Sequence, residues 1–272
     1  MSKTGKTKLL QLYAASFMVI LCATTISVAD MQGKIWKKGS DRPMVGLIKY
    51  MPASKIYRIK VRGIAFEVQL HEVARVYVPK PANWERTVNL VKNGQDNIAI
   101  PILEKIIDKY KGLYWDVLAA RWIAEAYLHT DRAAKSVSMC EKVIRDHPGA
   151  TDSSDFFHIY CNALLELKQY EKLKKILNKK IQQGTRETVA VAQVLRGDID
   201  MKQGNFRTAL VDGYLRTIVF FKQVESVQPE ALYKAVKCFD ELGEISHAEK
   251  MRKILLKNFP NDYYTKKIKS GK

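Results

Sequence analysis

The stretch from Ala120 to Pro148, ARWIAEAYLHTDRAAKSVSMCEKVIRDHP, decides how the chain is read. Ala120, Ile123, Ala124 and Tyr127 fall three or four residues apart, and Ser136, Cys140 and Val143 repeat that spacing after a short polar interval. Residues so spaced share one helix face, so the stretch predicts two amphipathic helices joined by a tight turn. Pro148 stops the second helix. Stacked helix pairs present a binding surface rather than a compact catalytic body.

Working outward, the residue that opens the second helix has counterparts at Ala99, Ser136, Leu173, Ala209 and Ala248, with leucine the exception in the third. The intervals are 37, 37, 36 and 39 residues. Gly94, Gly204 and Gly243 precede three of these positions, where a helix end needs a left-handed residue. Tyr170, Phe206 and Ile245 follow the turn, and Pro148 and Pro260 close the second and fifth units. On these residues, over roughly 84–262, the chain resembles the tetratricopeptide repeat (TPR) family, whose strict period is 34 residues. The fifth unit, with Leu232, Phe239, Gly243, Ala248, Leu255 and Pro260, is nearly as clear as the second. The fourth has Asp200 where the family prefers tyrosine, and the third keeps only apolar character at Phe157, Tyr160, Cys161, Leu164, Leu173 and Leu177.

The resemblance implies an all-α solenoid of about five helix pairs whose first helices line a concave face. Carried over position by position, it directs Arg121, Glu125, His158, Asn162, Val194, Asp198, Tyr233 and Lys237 toward that groove. A polar groove of mixed charge suits an extended peptide or acidic tail as partner. Some family members clamp a terminal carboxylate there, but Glu125 and Asp198 stand where that set has asparagine or neutral residues, so such a clamp is not implied. The alternative for all eight is ordinary solvated helix surface.

Upstream, the period changes. Gly33–Lys37, Met44–Tyr50, Lys55–Val61, Ile64–Leu70 and Val73–Val78 are short runs rich in β-branched and aromatic residues, separated by turn formers such as Arg62-Gly63. Tyr57, Ile59 and Val61 alternate with Ile56, Arg58 and Lys60, which predicts one buried strand face. Five such strands predict a small bent antiparallel sheet or partly closed barrel of SH3-like or Sm-like type over 30–80. The proline-rich segment Val78–Trp84 marks its end. The fold class is therefore α+β in series: the β module, the helical repeats over 84–262, and a basic tail over 263–272.

The chain has 272 residues, 46 basic and 28 acidic, for a formal charge of +18. Lys3, Lys6 and Lys8, the apolar run Leu9–Val28 and the small residues Ser27-Val28-Ala29 together read as an export signal cut after Ala29. The alternative is an uncleaved anchor at 9–29, since the run approaches the length that spans a bilayer. Cleavage removes three lysines and no acid, and the remaining 43 basic residues against 28 acids carry +15. Such a charge attracts anionic partners, and export argues against nucleic acid. Lys172, Lys175 and Lys179 share one side of a helix and read either as a solvated face or as a dock for an anionic envelope surface. Cys140, Cys161 and Cys238 lie in apolar helical patterns and read as buried residues, with a Cys140–Cys161 bridge conceivable if the two repeats face each other.

No catalytic motif emerges. Gly5-Lys-Thr7 lacks the remainder of a phosphate loop, the five histidines show no zinc-ligand spacing, and no nucleophile elbow occurs. No cofactor or metal is expected. The leading reading is an exported, periplasmic, non-enzymatic scaffold of the bacterial envelope that binds protein partners. A membrane-anchored adaptor is the second reading. An enzyme with a site at the junction of module and helices, near Trp36, His71, Trp84 and Trp115, is the third.

Overall fold

The computed structural model describes residues 30–271, so the export-signal segment lies outside the described residues. Five strands, β1 (Met31–Lys37), β2 (Met44–Met51), β3 (Ile56–Val61), β4 (Ile64–Gln69) and β5 (Val73–Tyr77), form one antiparallel sheet in the order β4-β3-β2-β1-β5. β1 to β4 run as a meander, and β5 returns to the free side of β1. A single 3-10 turn, Leu70–Glu72, carries the chain from one edge strand to the other. The sheet must therefore bend until its edges approach. Alternation does what the sequence predicts: Ile35, Ile48, Tyr57 and Ile59 are buried on one face. Arg62 and Gly63, both at positive φ, make the two-residue hairpin between β3 and β4.

The helices follow in five pairs: α1 (Trp84–Lys92) with α2 (Asp96–Lys109), α3 (Trp115–His129) with α4 (Ala133–Asp146), and α5 (Ser154–Glu166) with α6 (Tyr170–Gln183). In the fourth pair, α7 (Arg186–Lys202) is followed by α8 (Phe206–Thr208), a π-helical turn at Ala209–Tyr214 and α9 (Leu215–Phe220). The fifth pairs α10 (Gln228–Glu241) with α11 (Ile245–Asn258). Ala99, Ser136, Leu173, Ala209 and Ala248 are each fully buried, as the common register requires.

The five turns are one motif. Gly94, Asp131, Lys168, Gly204 and Gly243 lie five residues before the anchor and all have positive φ, between 55° and 78°. In each turn the next N–H reaches back five residues to a helical carbonyl: Gln95 to Leu90, Arg132 to Tyr127, Gln169 to Leu164, Asn205 to Asp200 and Glu244 to Phe239, at 2.7–2.9 Å. This is the Schellman closure, which satisfies carbonyls left open at a helix end. Asp131 and Lys168 thus adopt the glycine conformation without being glycine.

Within the basic tail, residues Tyr263–Lys269 form a further helix, α12. Asp262 caps it by accepting from the Tyr264 N–H at 2.8 Å, and the buried Thr265 hydroxyl donates to the Phe259 carbonyl at 2.6 Å. The basic side chains of this segment hid the two contacts that dock it. Among the described residues, no helix is long and apolar enough to cross a membrane.

The order is in series, yet sheet and helices share one core. Ile35, Ile48, Tyr57 and Val68 cluster with Val88, Val91, Leu103 and Ile123, and a second core runs on from α3 to α11. Gly112, between α2 and α3, forms the joint. Its carbonyl accepts the Tyr57 hydroxyl at 2.7 Å, its N–H donates to Asp116 Oδ2 at 2.7 Å, and a Cβ there would lie 2.1 Å from the Tyr50 ring. Its φ is +73° as well. Burial, with the nearby Tyr50 and Asp116, raises the Tyr57 pKa and keeps its hydroxyl a donor.

The left-handed positions differ in what a substitution would do. Lys168→Gly should stabilise the fold by about 0.5–1 kcal/mol and Gly243→Ala should destabilise it by about 1 kcal/mol, read from urea midpoints, because only glycine is unstrained there. Gly112→Ala should cost about 3 kcal/mol or more, since an L-residue is strained there and its Cβ meets the Tyr50 ring. An unchanged melting temperature in the Gly112→Ala variant would disprove the joint.

Candidate functional site

A groove of about 900 Å³ opens where the sheet meets the solenoid. One wall is β5 and the preceding turn, from Leu70 to Val76; the other is the face of α3 bearing Val117, Leu118, Arg121 and Trp122. Three- and four-residue spacing puts those side chains, with Tyr114, on one side of the helix. Lys92 from α1, and Asp146, His147, Ser153, Asp155 and Phe156 from the connection between the second and third pairs, complete it. A second cavity of about 440 Å³ continues along β5 and is bordered by Trp36, Tyr77, Val78 and Trp115. Arg75, Val76 and Tyr114 border both.

Aromatic rings and cations alternate around this groove. The Arg121 guanidinium lies 3.9 Å from the Trp122 ring centre, Lys92 Nζ lies 5.7 Å from the same ring, and the Arg75 guanidinium lies 3.9 Å from Trp36. Tyr114, 60% exposed between the two cavities, has φ 78° and ψ −42°. A bulky residue in that conformation is strained, and such strain is concentrated at ligand clamps. At the floor, His147 Nε2 lies 3.0 Å from Asp116 Oδ2, the same oxygen that accepts from Gly112. The hydrogen bond to Asp116 raises the His147 pKa against the opposing effect of burial, and the charges of Asp116 and Asp146 add to it. The pair ties the end of α4 to the start of α3.

The eight residues carried over from the repeat family divide in the structure. Arg121 lines the groove and Glu125 holds it by an ion pair at 2.5 Å. Val194 is 1% exposed and belongs to the core, so it does not face a groove. Asp198 is buried as well: Lys234 Nζ approaches one carboxylate oxygen at 2.7 Å and the Tyr214 hydroxyl donates to the other at 2.7 Å. Lys234 also bonds Glu230 at 2.5 Å, and His158 Nε2 stands 3.6 Å from Glu230. These charges knit α5, α7 and α10 together. Desolvation alone would lower the His158 and Lys234 pKa values, but the carboxylates of Glu230 and Asp198 outweigh it and raise both. Asn162 is half-buried. Tyr233 is buried against Tyr264, 5.4 Å between ring centres, with Lys237 Nζ 5.6 Å from its ring.

At the junction, Trp84 and Trp115 pack edge to face at 5.0 Å, and His71 is exposed within the 3-10 turn. Cys140, Cys161 and Cys238 are buried free thiols, so the conceivable bridge is absent. Burial pushes Cys140 and Cys238 up to about 12, out of thiolate chemistry near neutrality. Lys175 and Lys179 lie on α6 away from the core, whereas Lys172 is engaged by Glu141. Tyr57, Arg75, Val76, Tyr114, Trp122 and His147 escaped the sequence reading as site residues, because β5 and α3 become neighbours only through the Gly112 joint. Gly112-Leu-Tyr-Trp115, a glycine beside two aromatics between two helices, is the one local signal that marked the place.

No family model matches the chain, and no curated protein does. Four solved chains match it. Among them is a crystal structure of nearly identical TPR-like repeats described as a kinesin light chain from Podosopora anserina, at 15% identity and a TM-score of 0.46, covering 64% of this chain and 93% of that one.

His147 binds its proton more tightly in the folded state than its ordinary pKa of 6.5 allows. The resulting stabilisation is fully present below that value and is lost as pH rises through the raised one. Melting temperatures from pH 5.5 to 8.5 should fall less steeply in His147→Gln than in the parent, with the raised His158 supplying the remaining slope. Identical slopes would show that the Asp116–His147 pair is energetically silent.

Proposed function

We propose that the protein is an exported, non-enzymatic scaffold of the bacterial cell envelope that holds protein partners along the face where its sheet meets its helical repeats. The observation that carries this reading is the groove beside β5, large enough for several side chains and bounded by apolar, aromatic and cationic groups. Interaction sites have that composition, with aromatic residues and arginine prominent and an apolar floor. Asp116 and His147 act as a tie between helices, and the buried thiols are held protonated, so neither supplies a nucleophile. The ion network of Asp198, Glu230, Lys234 and His158 fills the inner face of the later repeats, which leaves the first two pairs as the receptive part. The lysines of α6 are a secondary contact for an anionic envelope surface, through Lys175 and Lys179. Export rests on the basic and apolar start of the sequence, and the same segment favours the anchored adaptor if it is retained.

Photo-crosslinking in the cell of origin tests the reading. A photoreactive side chain replacing Leu118, in the groove, should trap a protein partner; one replacing Lys175, on α6, should not trap the same partner. Mass spectrometry of the recovered protein should find Asp30 at the N-terminus. Retention of Met1 or Ser2 would replace the released scaffold by the anchored form, and the absence of any adduct from position 118 would remove the groove from the function.

A further inference from the structure

We infer that the open edge of β5 accepts an extended peptide of alternating apolar and acidic residues, which joins the sheet as a sixth strand. The inference rests on the scaffold reading above and specifies the chemistry of the partner segment. Among the described residues β5 pairs with β1 on one side only, and its other side borders both cavities. Just beyond its end, the Val78 carbonyl accepts a hydrogen bond from Trp115 Nε1 at 3.2 Å. The free edge therefore faces α3, and at this carbonyl a side chain already takes the place of a strand donor. Backbone groups of alternate residues in an antiparallel strand point the same way, so the N–H and C=O of Val76 share the side of Val78. An incoming strand pairs with them.

The register sets which side chains that strand needs. Arg75 lies opposite Trp36 and Val76 opposite Ile35, with Ala74 as the extra residue of a bulge between Arg75 and Val73. The regular edge from Arg75 to Tyr77 thus pairs with about three residues, roughly 10 Å of extended chain. Ile35 is fully buried, so a guest side chain beside Val76 points inward, toward Val117, Leu118, Trp122 and Phe156. Its neighbours point outward, beside Arg75 and the exposed Tyr77, which lies opposite Lys34 of β1. Apolar residues two apart with acids between them satisfy both faces. Arg75 and Lys92 line the groove together with Asp146 and Asp155, Arg121 being held by Glu125; the acids belong to the end of α4 and the start of α5, and Arg75 alone brings charge to the second cavity. Peptide addition to a sheet edge draws affinity from the main chain and specificity from alternate pockets in this way.

A fluorescein-labelled peptide, Ser-Val-Asp-Leu-Asp-Val-Ser, is the probe, with fluorescence anisotropy and backbone amide NMR as readouts on the full mature chain. Saturable binding should shift the Val76 amide, and it should weaken about tenfold or more when the central leucine is N-methylated or when both acids are replaced by lysine. Val76→Pro should weaken it similarly while leaving the melting temperature nearly unchanged, because the lost N–H faces the groove and edge strands tolerate proline there. If that variant does not fold, the N-methylated peptide carries the same test on the parent protein. Equal binding of the N-methylated or lysine peptide would overturn the inference, as would concentration-dependent self-association that the peptide cannot displace, which would assign the edge to a second copy. If the probe does not bind while position 118 still traps a partner, strand addition falls and the scaffold reading stands.

Discussion

The joining of sheet to helices depends on how closely the two approach each other at Gly112. The Tyr50 ring occupies the space a side chain would need there, the Tyr57 hydroxyl bonds the carbonyl, and Asp116 takes the N–H. Because Asp116 also holds His147, one backbone position couples β3, the start of α3 and the end of α4. A longer turn or a larger residue would part the sheet from the solenoid and open their common core to water. The groove opens beside this contact, with Tyr57 and Gly112 in its lining together with Val73 to Val76 of β5.

The solenoid solves its own problem differently. Each helix pair ends its first helix by the same left-handed closure and begins its second by burying one residue against its neighbours, so the units stack by repetition. In the later repeats the buried charges of His158, Asp198, Glu230 and Lys234 are paired with one another. Lys234 lies between Asp198 and Glu230, and removing the lysine would leave the buried Asp198 carboxylate without a cationic partner. That arrangement gives the C-terminal half its cohesion.

Much of this was legible before any coordinates. The period through Ala99, Ser136, Leu173, Ala209 and Ala248 survives because helical stacking acts on small residues at fixed spacing, and the β1–β5 runs survive because a half-buried strand must alternate. The turns at Asp131 and Lys168 were not legible, since neither residue announces positive φ. Nor was the fate of Asp198: a carboxylate at a position expected to face solvent looks the same in sequence whether water or a lysine 36 residues away meets it. The helix α12 was hidden for a similar reason, its two docking contacts being outnumbered by lysines.

By itself, then, the sequence determined the order of elements, the two periodicities, the helix-pair register and the strong positive charge, because each of these is set by neighbours within a few turns or one strand. The tertiary structure alone decided that the β module and the first helices share a core, that Asp198, Glu230, Lys234 and His158 pair with one another, and that β5 is left with an open edge beside a groove of aromatic, apolar and charged groups. Those outcomes turn on distances between residues tens of positions apart, chiefly Tyr57 to Gly112 and Lys234 to Asp198, and burial converts those distances into energy only once the chain has folded.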